Sequence, residues 1–276
     1  MINNKNKLKK LRQQIDAVDS RIIALIRERI EIVQNIAKEK KFESSIIRPG
    51  REANVLRNVT KDLTGELQVD TVVRIWRELI SSSCKIQRDF TVAVCAPEKS
   101  VGYWDLARGH FGSSVSMSLH RSSKLVLEMI GQSSDIIGVM PMPKHEEDDP
   151  WWIHLRSANN KYPVVVGRLP FLSKKNFFED LEAVIIASFP SEESVNDHTW
   201  ILSESSTRVS YDWVNQKIIK SGLKGKMLCS SLRKDETYFF IIEVEGFYYE
   251  NHSKVEKLHE ALEYSIRTSV IGNFPV

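Results

Sequence analysis

A chain of 276 residues, 42% hydrophobic and 27% charged, is long enough for two or three compact units, and its composition excludes a disordered, fibrous or membrane-filling protein. The formal net charge is only +3, yet residues 1–41 carry eleven Lys or Arg against five Asp or Glu. The opening residues are polar, with no signal-peptide core and no apolar run that would span a bilayer, and Cys84, Cys95 and Cys229 show no metal or redox spacing. The expectation is a cytoplasmic protein without a metal or cofactor.

The first predicted element is a long helix over residues 8–40. Leu8, Leu11, Ile15, Val18, Ile22 and Leu25 alternate steps of three and four, the stripe of a helix laid against other helices. The next seam position is Arg29, followed by Ile32 and Ile36. A charge in such a seam is costly unless an anion meets it, so Arg29 marks either a structural ion pair or an anion site. Lys40 lies eleven residues on, about 16 Å away and within about 20° of the same face, so both basic groups can reach toward one small ligand. Arg12 is about 25 Å from Arg29 and faces elsewhere; it can join that site only from a second, antiparallel chain. A basic helix can also serve nucleic acid or a membrane surface, but the apolar stripe and the lack of interleaved aromatics favour a solvated face, with neither partner expected.

A second helix opens at Arg48-Pro49-Gly50-Arg51-Glu52, with proline in its first turn and Val55, Leu56 and Val59 as a short apolar face. Gly65 marks the turn out, and Asp70 is the expected N-cap of a third helix with Val73, Trp76 and Ile80 as its stripe. The stripe continues through Ser83 and Gln87, which either fray into water at the helix end or point two hydrogen-bonding groups inward.

Taken together, Arg12, Arg29, Lys40, Arg51, Glu52, Ser83 and Gln87 lie on three helices. The words Leu11-Arg12-x-x-Ile15-x-x-Val18-Asp19, Arg29, Ala37-Lys38-Glu39-Lys40, Arg48-Pro49-x-Arg51-Glu52-Ala53-x-Val55-Leu56 and the Ser83/Gln87 pair resemble the all-helical chorismate mutase domain that begins the bifunctional chorismate mutase–prephenate dehydratases. The resemblance implies an all-α three-helix domain over 1–88 that forms an interlocked homodimer, each site completed by Arg12 of the other chain. It implies that Arg12, Arg29 and Arg51 hold the carboxylates of chorismate. Lys40 and Gln87 would donate to the breaking ether oxygen, Glu52 would hold the ring hydroxyl, and Ser83 would assist near a carboxylate. Arg48, where some members have an acidic residue, counts among the substrate-binding positions. The reaction implied is the Claisen rearrangement of chorismate to prephenate, a step of aromatic amino acid biosynthesis on the shikimate route. It needs a folded substrate and prepared donors rather than a nucleophile.

From Asp89 the texture changes to alternating strands and helices. Strands are expected at Phe90 to Cys95, Val115 to Leu119, Ile136 to Met140, Pro163 to Gly167 and Ala183 to Ser188, with helices around Tyr103 to Phe111 and Ser122 to Gly131. His145, His154 and the acids between them match no metal cage and read as a solvated loop. Val92-Ala93-Val94-Cys95-Ala96-Pro97 and Asp135-Ile136-Ile137-Gly138-Val139-Met140-Pro141 resemble the start of a prephenate dehydratase domain. The family's Ile-Glu-Asn-Ser, Thr-Arg-Asx-Thr and Thr-Arg-Phe words are absent, with His198-Thr199-Trp200 the nearest remnant. A shortened, catalytically inactive α/β lobe over 89–196 is therefore expected.

Residues 197–276 read β-α-β-β-α-β: a strand at Thr199 to Leu202, a helix at Asp212 to Ser221, strands at Lys226 to Leu232 and Tyr238 to Glu245, a helix at Lys254 to Tyr264, and a strand at Thr268 to Gly272. The segments Tyr238 to Gly246 and Val270 to Pro275 resemble the ACT domain that follows dehydratases. Its ligand-binding words are replaced by Ser210-Tyr211-Asp212 and Ser230-Ser231-Leu232-Arg233. The expected whole is a mutase fused to an inactive dehydratase-like and ACT-like tail, dimeric and, if sheet edges pair, tetrameric. A bifunctional enzyme and a non-catalytic anion-binding or regulatory protein are the alternatives. The Lys40/Gln87 pair argues against the last, because a carboxylate binder needs the arginines but not those two donors.

Overall fold

The computed structural model describes residues 2–39, 45, 47–97, 101–155, 163–172, 181–263 and 266–276. Three helices come first: α1 (Ile2–Glu39), α2 (Pro49–Thr60) and α3 (Val69–Gln87). Proline at the first position starts α2, and Gly65, at φ +80°, turns the chain toward α3. The expected N-cap is corrected. Gln68 occupies that position, and Asp70 sits inside the first turn, where a carboxylate suits the positive end of the helix dipole.

The heptad stripe of α1 is helical, as the spacing predicts, but this chain does not bury it. Leu8, Leu11, Ile15, Val18, Ile22, Leu25, Ile32 and Ile36 are all exposed. The face of α1 that packs on α3 is instead its C-terminal Ile26, Arg29, Ile30, Val33 and Ala37. The N-terminal two thirds of the helix stand clear of the rest of the chain.

The remainder is built on one mixed sheet of nine strands: β1 (Thr91–Cys95), β2 (Ser116–His120), β3 (Ile136–Pro141), β4 (Val164–Leu169), β5 (Ala183–Ala187), β6 (Asp197–Ser205), β7 (Gly225–Leu232), β8 (Tyr238–Glu245) and β9 (Arg267–Pro275). Four helices cover it: α4 (Val101–Phe111), α5 (Ser123–Gln132), α6 (Tyr211–Lys220) and α7 (Ser253–Ala261). The strand order is β2-β1-β3-β5-β4-β9-β6-β8-β7. The β1–β3 part is parallel, as a helix between successive strands requires, and β5 runs antiparallel to both β3 and β4. From β6 onward the order β-α-β-β-α-β appears as predicted, with β9 and β8 flanking β6 in the manner of a split βαβ unit.

Several strands run longer than their sequence signal. β6 extends from Asp197 to Ser205, and β9 continues past Gly272 to Pro275, because both strands are paired along their length in the sheet interior. Helix α7 ends at Ala261 with Leu262 as its C-cap; Glu263 takes a left-handed φ of +75°, and Tyr264 lies outside the described residues. A short 3-10 turn at Trp151–Leu155, buried under the sheet, follows the acidic loop and was not anticipated.

The two halves share a core. Ala53 and Leu56 of α2 and Val73, Ile80 and Cys84 of α3 belong to the same buried cluster as Val92, Phe111, Val139, Phe171 and Ala187 of the sheet unit. So α3 packs on α1, α2 and the sheet unit, while α2 lies between α3 and the sheet unit.

Candidate functional site

Three members of the predicted constellation, Arg29, Ser83 and Gln87, come together where the C-terminal third of α1 packs on the end of α3. Arg29 reaches across to α3, donating to the Leu79 carbonyl at 3.2 Å and to the Ser83 hydroxyl. Ser83 itself donates back to the Leu79 carbonyl at 2.6 Å, and the Gln87 amide donates to the Ser83 carbonyl at 3.1 Å. Ser83 is buried, so this helix end does not fray into water, and two polar groups are held inward beside a guanidinium.

Arg51 approaches from α2 with its side chain exposed. Burial lowers the pKa of Arg29, and the charge of the nearby Arg51 pushes it the same way. Two like charges are thus drawn together, and among the described residues no carboxylate forms an ion pair with either, or with Arg12. Two such charges repel, and an anion set between them would offset the repulsion. Arg12 is far up an unbroken helix, about 25 Å from Arg29, and cannot reach the site of its own chain. Lys40 lies outside the described residues.

The other two α2 residues look the opposite way. Glu52 is buried; its carboxylate accepts from Arg77 at 2.8 Å and from the Arg48 backbone N–H at 3.2 Å. Arg48 directs its guanidinium onto Glu192 in the sheet unit, with both oxygens engaged at 2.8 and 2.9 Å. Sequence reasoning missed Arg77. It stands in the buried stripe of α3 one position after Trp76, and only its partner in space explains a fully buried guanidinium. A charged residue beside an apolar stripe was the one available signal.

In the sheet unit, His198-Thr199-Trp200 is tied into the fold. His198 and the Trp200 indole both bond the Glu243 carboxylate, at 3.1 and 2.7 Å, while Thr199 donates to the Gly246 carbonyl and Asn273. The replaced sensor words are engaged by the chain itself. Ser210 caps α6, while the 145–147 loop bonds Ser230 and Ser231 on β7. His145 contacts Tyr211 there, and among the described residues no three metal-ligating side chains come together. No helix among the described residues is long and apolar enough to cross a membrane.

Comparison with known proteins finds likenesses to part of the chain. Residues 11–88 match the family described as chorismate mutase type II. The chain is 32% identical over 148 residues to a bifunctional chorismate mutase/prephenate dehydratase of Stutzerimonas stutzeri, covering 51% of this chain and 40% of the relative. It is 29% identical over 150 residues to the protein of the same description in Pseudomonas aeruginosa, covering 52% and 41%. The chain thus spans about two fifths of the curated relatives it matches. Among solved structures, a prephenate dehydratase from Streptococcus mutans superposes with a TM-score of 0.44 at 13% identity, over 67% of this chain and 97% of that one. A likeness that slight decides neither fold nor activity.

Proposed function

We propose that this chain, whose residues 11–88 form a type II chorismate mutase domain, converts chorismate to prephenate. The observation that carries the reading is Arg29, which bonds Ser83 beside Gln87 at the end of α3, feels the charge of Arg51, and like Arg51 has no carboxylate ion pair among the described residues. Chorismate presents two carboxylates and an ether oxygen that gains charge as its bond breaks. Arginines seat the carboxylates, and Gln87, a donor at any ordinary pH, meets the oxygen with Lys40. No proton or nucleophile is required. The rate comes from holding the substrate folded and from donors already in place.

The exposed stripe of α1 supports a homodimer. Eight large apolar side chains on one helix face are costly to leave in water, and an antiparallel second copy would bury them while delivering its Arg12 to this chain's Arg29. Glu52, buried on Arg77, would reach the ring hydroxyl only by leaving that partner. Arg48, engaged with Glu192, contributes to the substrate only by exchanging that partner. The C-terminal region lacks the dehydratase words, and its remnant His198-Thr199-Trp200 is bound into the sheet, so prephenate leaves unprocessed. The working compartment is the cytoplasm, where the three buried thiols stay reduced.

The test is incubation of purified chain with chorismate, quantifying prephenate and phenylpyruvate separately before any acid step. Prephenate alone supports the proposal. Phenylpyruvate above the spontaneous background would show a working dehydratase, and unconsumed chorismate would leave only an anion-binding protein.

A further inference from the structure

The sheet unit grips α2 at the turn that carries Arg51 and Glu52. Gly50, in the first turn, lies so close to the loop before β6 that a Cβ there would stand 2.4 Å from the Glu192 carbonyl oxygen. Two residues earlier, the Arg48 Nε–H is shared between both carboxylate oxygens of Glu192. Two turns further on, Arg57 donates to the Asn196 carbonyl at 3.1 Å, the Ser194 hydroxyl at 3.3 Å and the Val276 carbonyl at 2.5 Å. The receiving loop is itself stapled: Asp197 accepts from the Ser194 N–H at 2.6 Å and from its hydroxyl at 2.7 Å, and Val276 bonds the Asn196 carbonyl at 3.0 Å. From below, the Phe171 ring lies under both Arg57 and Arg77, at 5.5 and 5.7 Å, and Arg77 is the group that holds Glu52.

These contacts have a common consequence. Arg29, Ser83 and Gln87 are placed by α1 against α3, which the sheet unit holds at a separate place, through Ser113 on Glu78 and Lys85 on the Ser114 carbonyl. Arg51 and Glu52 are placed by α2, whose axial position is set by the Gly50–Glu192 contact and whose rotation is set by Arg48 and Arg57. The distance between the two halves of the anion site is therefore fixed through the C-terminal region.

We propose that the C-terminal sheet unit is a positioning element of the mutase site, clamping α2 through Glu192, Arg57 and Phe171 so that Arg51 meets the substrate held by Arg29. The inference rests on the mutase reading and gives the region without dehydratase words a role in that same reaction. Arg57 and Glu192 touch no substrate and act through α2.

The experiment uses the full chain carrying Arg57→Gln and Glu192→Gln together, both at the rim of the interface, with Gly50→Ala as a second, independent way of displacing α2. Prephenate formation is followed across chorismate concentrations, and amide hydrogen exchange is read over residues 49–60. A loosened clamp raises KM about tenfold while kcat changes by less than about twofold, because ground-state and transition-state contacts of Arg51 weaken alike. It also speeds exchange in α2 while that of α1 stays as in the unaltered chain. A merely structural interface gives a different pattern: KM holds, and kcat falls with the fraction folded. Unchanged KM in both variants, with the unaltered chain turning over chorismate, would overturn this inference and leave the mutase intact. No turnover by the unaltered chain would overturn both.

Discussion

Removing the guanidinium of Arg77 tests how tightly the helical and sheet parts are joined. Its side chain is 4% exposed and that of Glu52 11%, with 2.8 Å between nitrogen and oxygen and Phe171 stacked on the far side. Arg77→Met keeps most of the volume and strands the carboxylate in a core it shares with Ala53, Leu56 and Ile80. Breaking a buried pair from one side costs about 3–5 kcal/mol. With a urea slope of roughly 2–3 kcal/mol/M, the unfolding midpoint is expected to fall by about 1–2.5 M. The assay is urea denaturation followed by tryptophan fluorescence, to which Trp76 on α3 contributes. A double variant, Arg77→Met with Glu52→Gln, separates the two parts of the cost. With no stranded charge, it should lose less than the sum of the single variants. A loss below about 1 kcal/mol for Arg77→Met would refute the reasoning, since that is the size of a solvated surface pair.

Three further outcomes follow from the geometry. Arg29→Ala should abolish mutase turnover with the circular dichroism spectrum unchanged; retained turnover would remove the site assignment. A charge in the exposed stripe, as in Ile15→Lys or Leu25→Asp at positions 59% and 63% exposed in the single chain, should halve the mass measured by light scattering while leaving α4–α7 and the sheet folded. Glu243 supplies a pH dependence. Burial alone would raise its pKa, but hydrogen bonds from His198 and Trp200 and the charge of Arg168 hold it below the ordinary 4.5. A depressed carboxylate stabilises above its unfolded pKa and loses that contribution as pH falls through the folded one. Thermal melts should therefore show the unaltered chain losing stability below about pH 4.5 more steeply than Glu243→Gln. Parallel melting curves for the two proteins would contradict it.

What the sequence disclosed and what it hid divide along physical lines. The helices were legible because proline, glycine and the three–four stripe act locally, and Arg29 stood out because it broke an apolar pattern. The pairing of Arg29 with Ser83 spans 54 positions and could not be read from the stripe of α1, whose other members face water. The βαββαβ order was readable from alternating runs and turn residues. Hidden were features made only by tertiary contact. The extension of β6 and β9 comes from mutual pairing, the 3-10 turn at Trp151–Leu155 from burial, and the start of α3 from Gln68 adopting the cap conformation with no side-chain cap bond. Arg77 and Gly50 look ordinary in sequence. Each acquires its meaning from a partner far along the chain or across the helix pair, Glu192 lying more than 140 positions beyond Gly50. Nor did the stripe of α1 announce that its own chain would leave it uncovered.

The account stands most directly on one measurement: the products formed from chorismate by the purified, unaltered chain, with prephenate and phenylpyruvate quantified separately. It predicts loss of chorismate, stoichiometric prephenate, and phenylpyruvate no higher than the spontaneous background. Chorismate left unconsumed by a folded chain would contradict it.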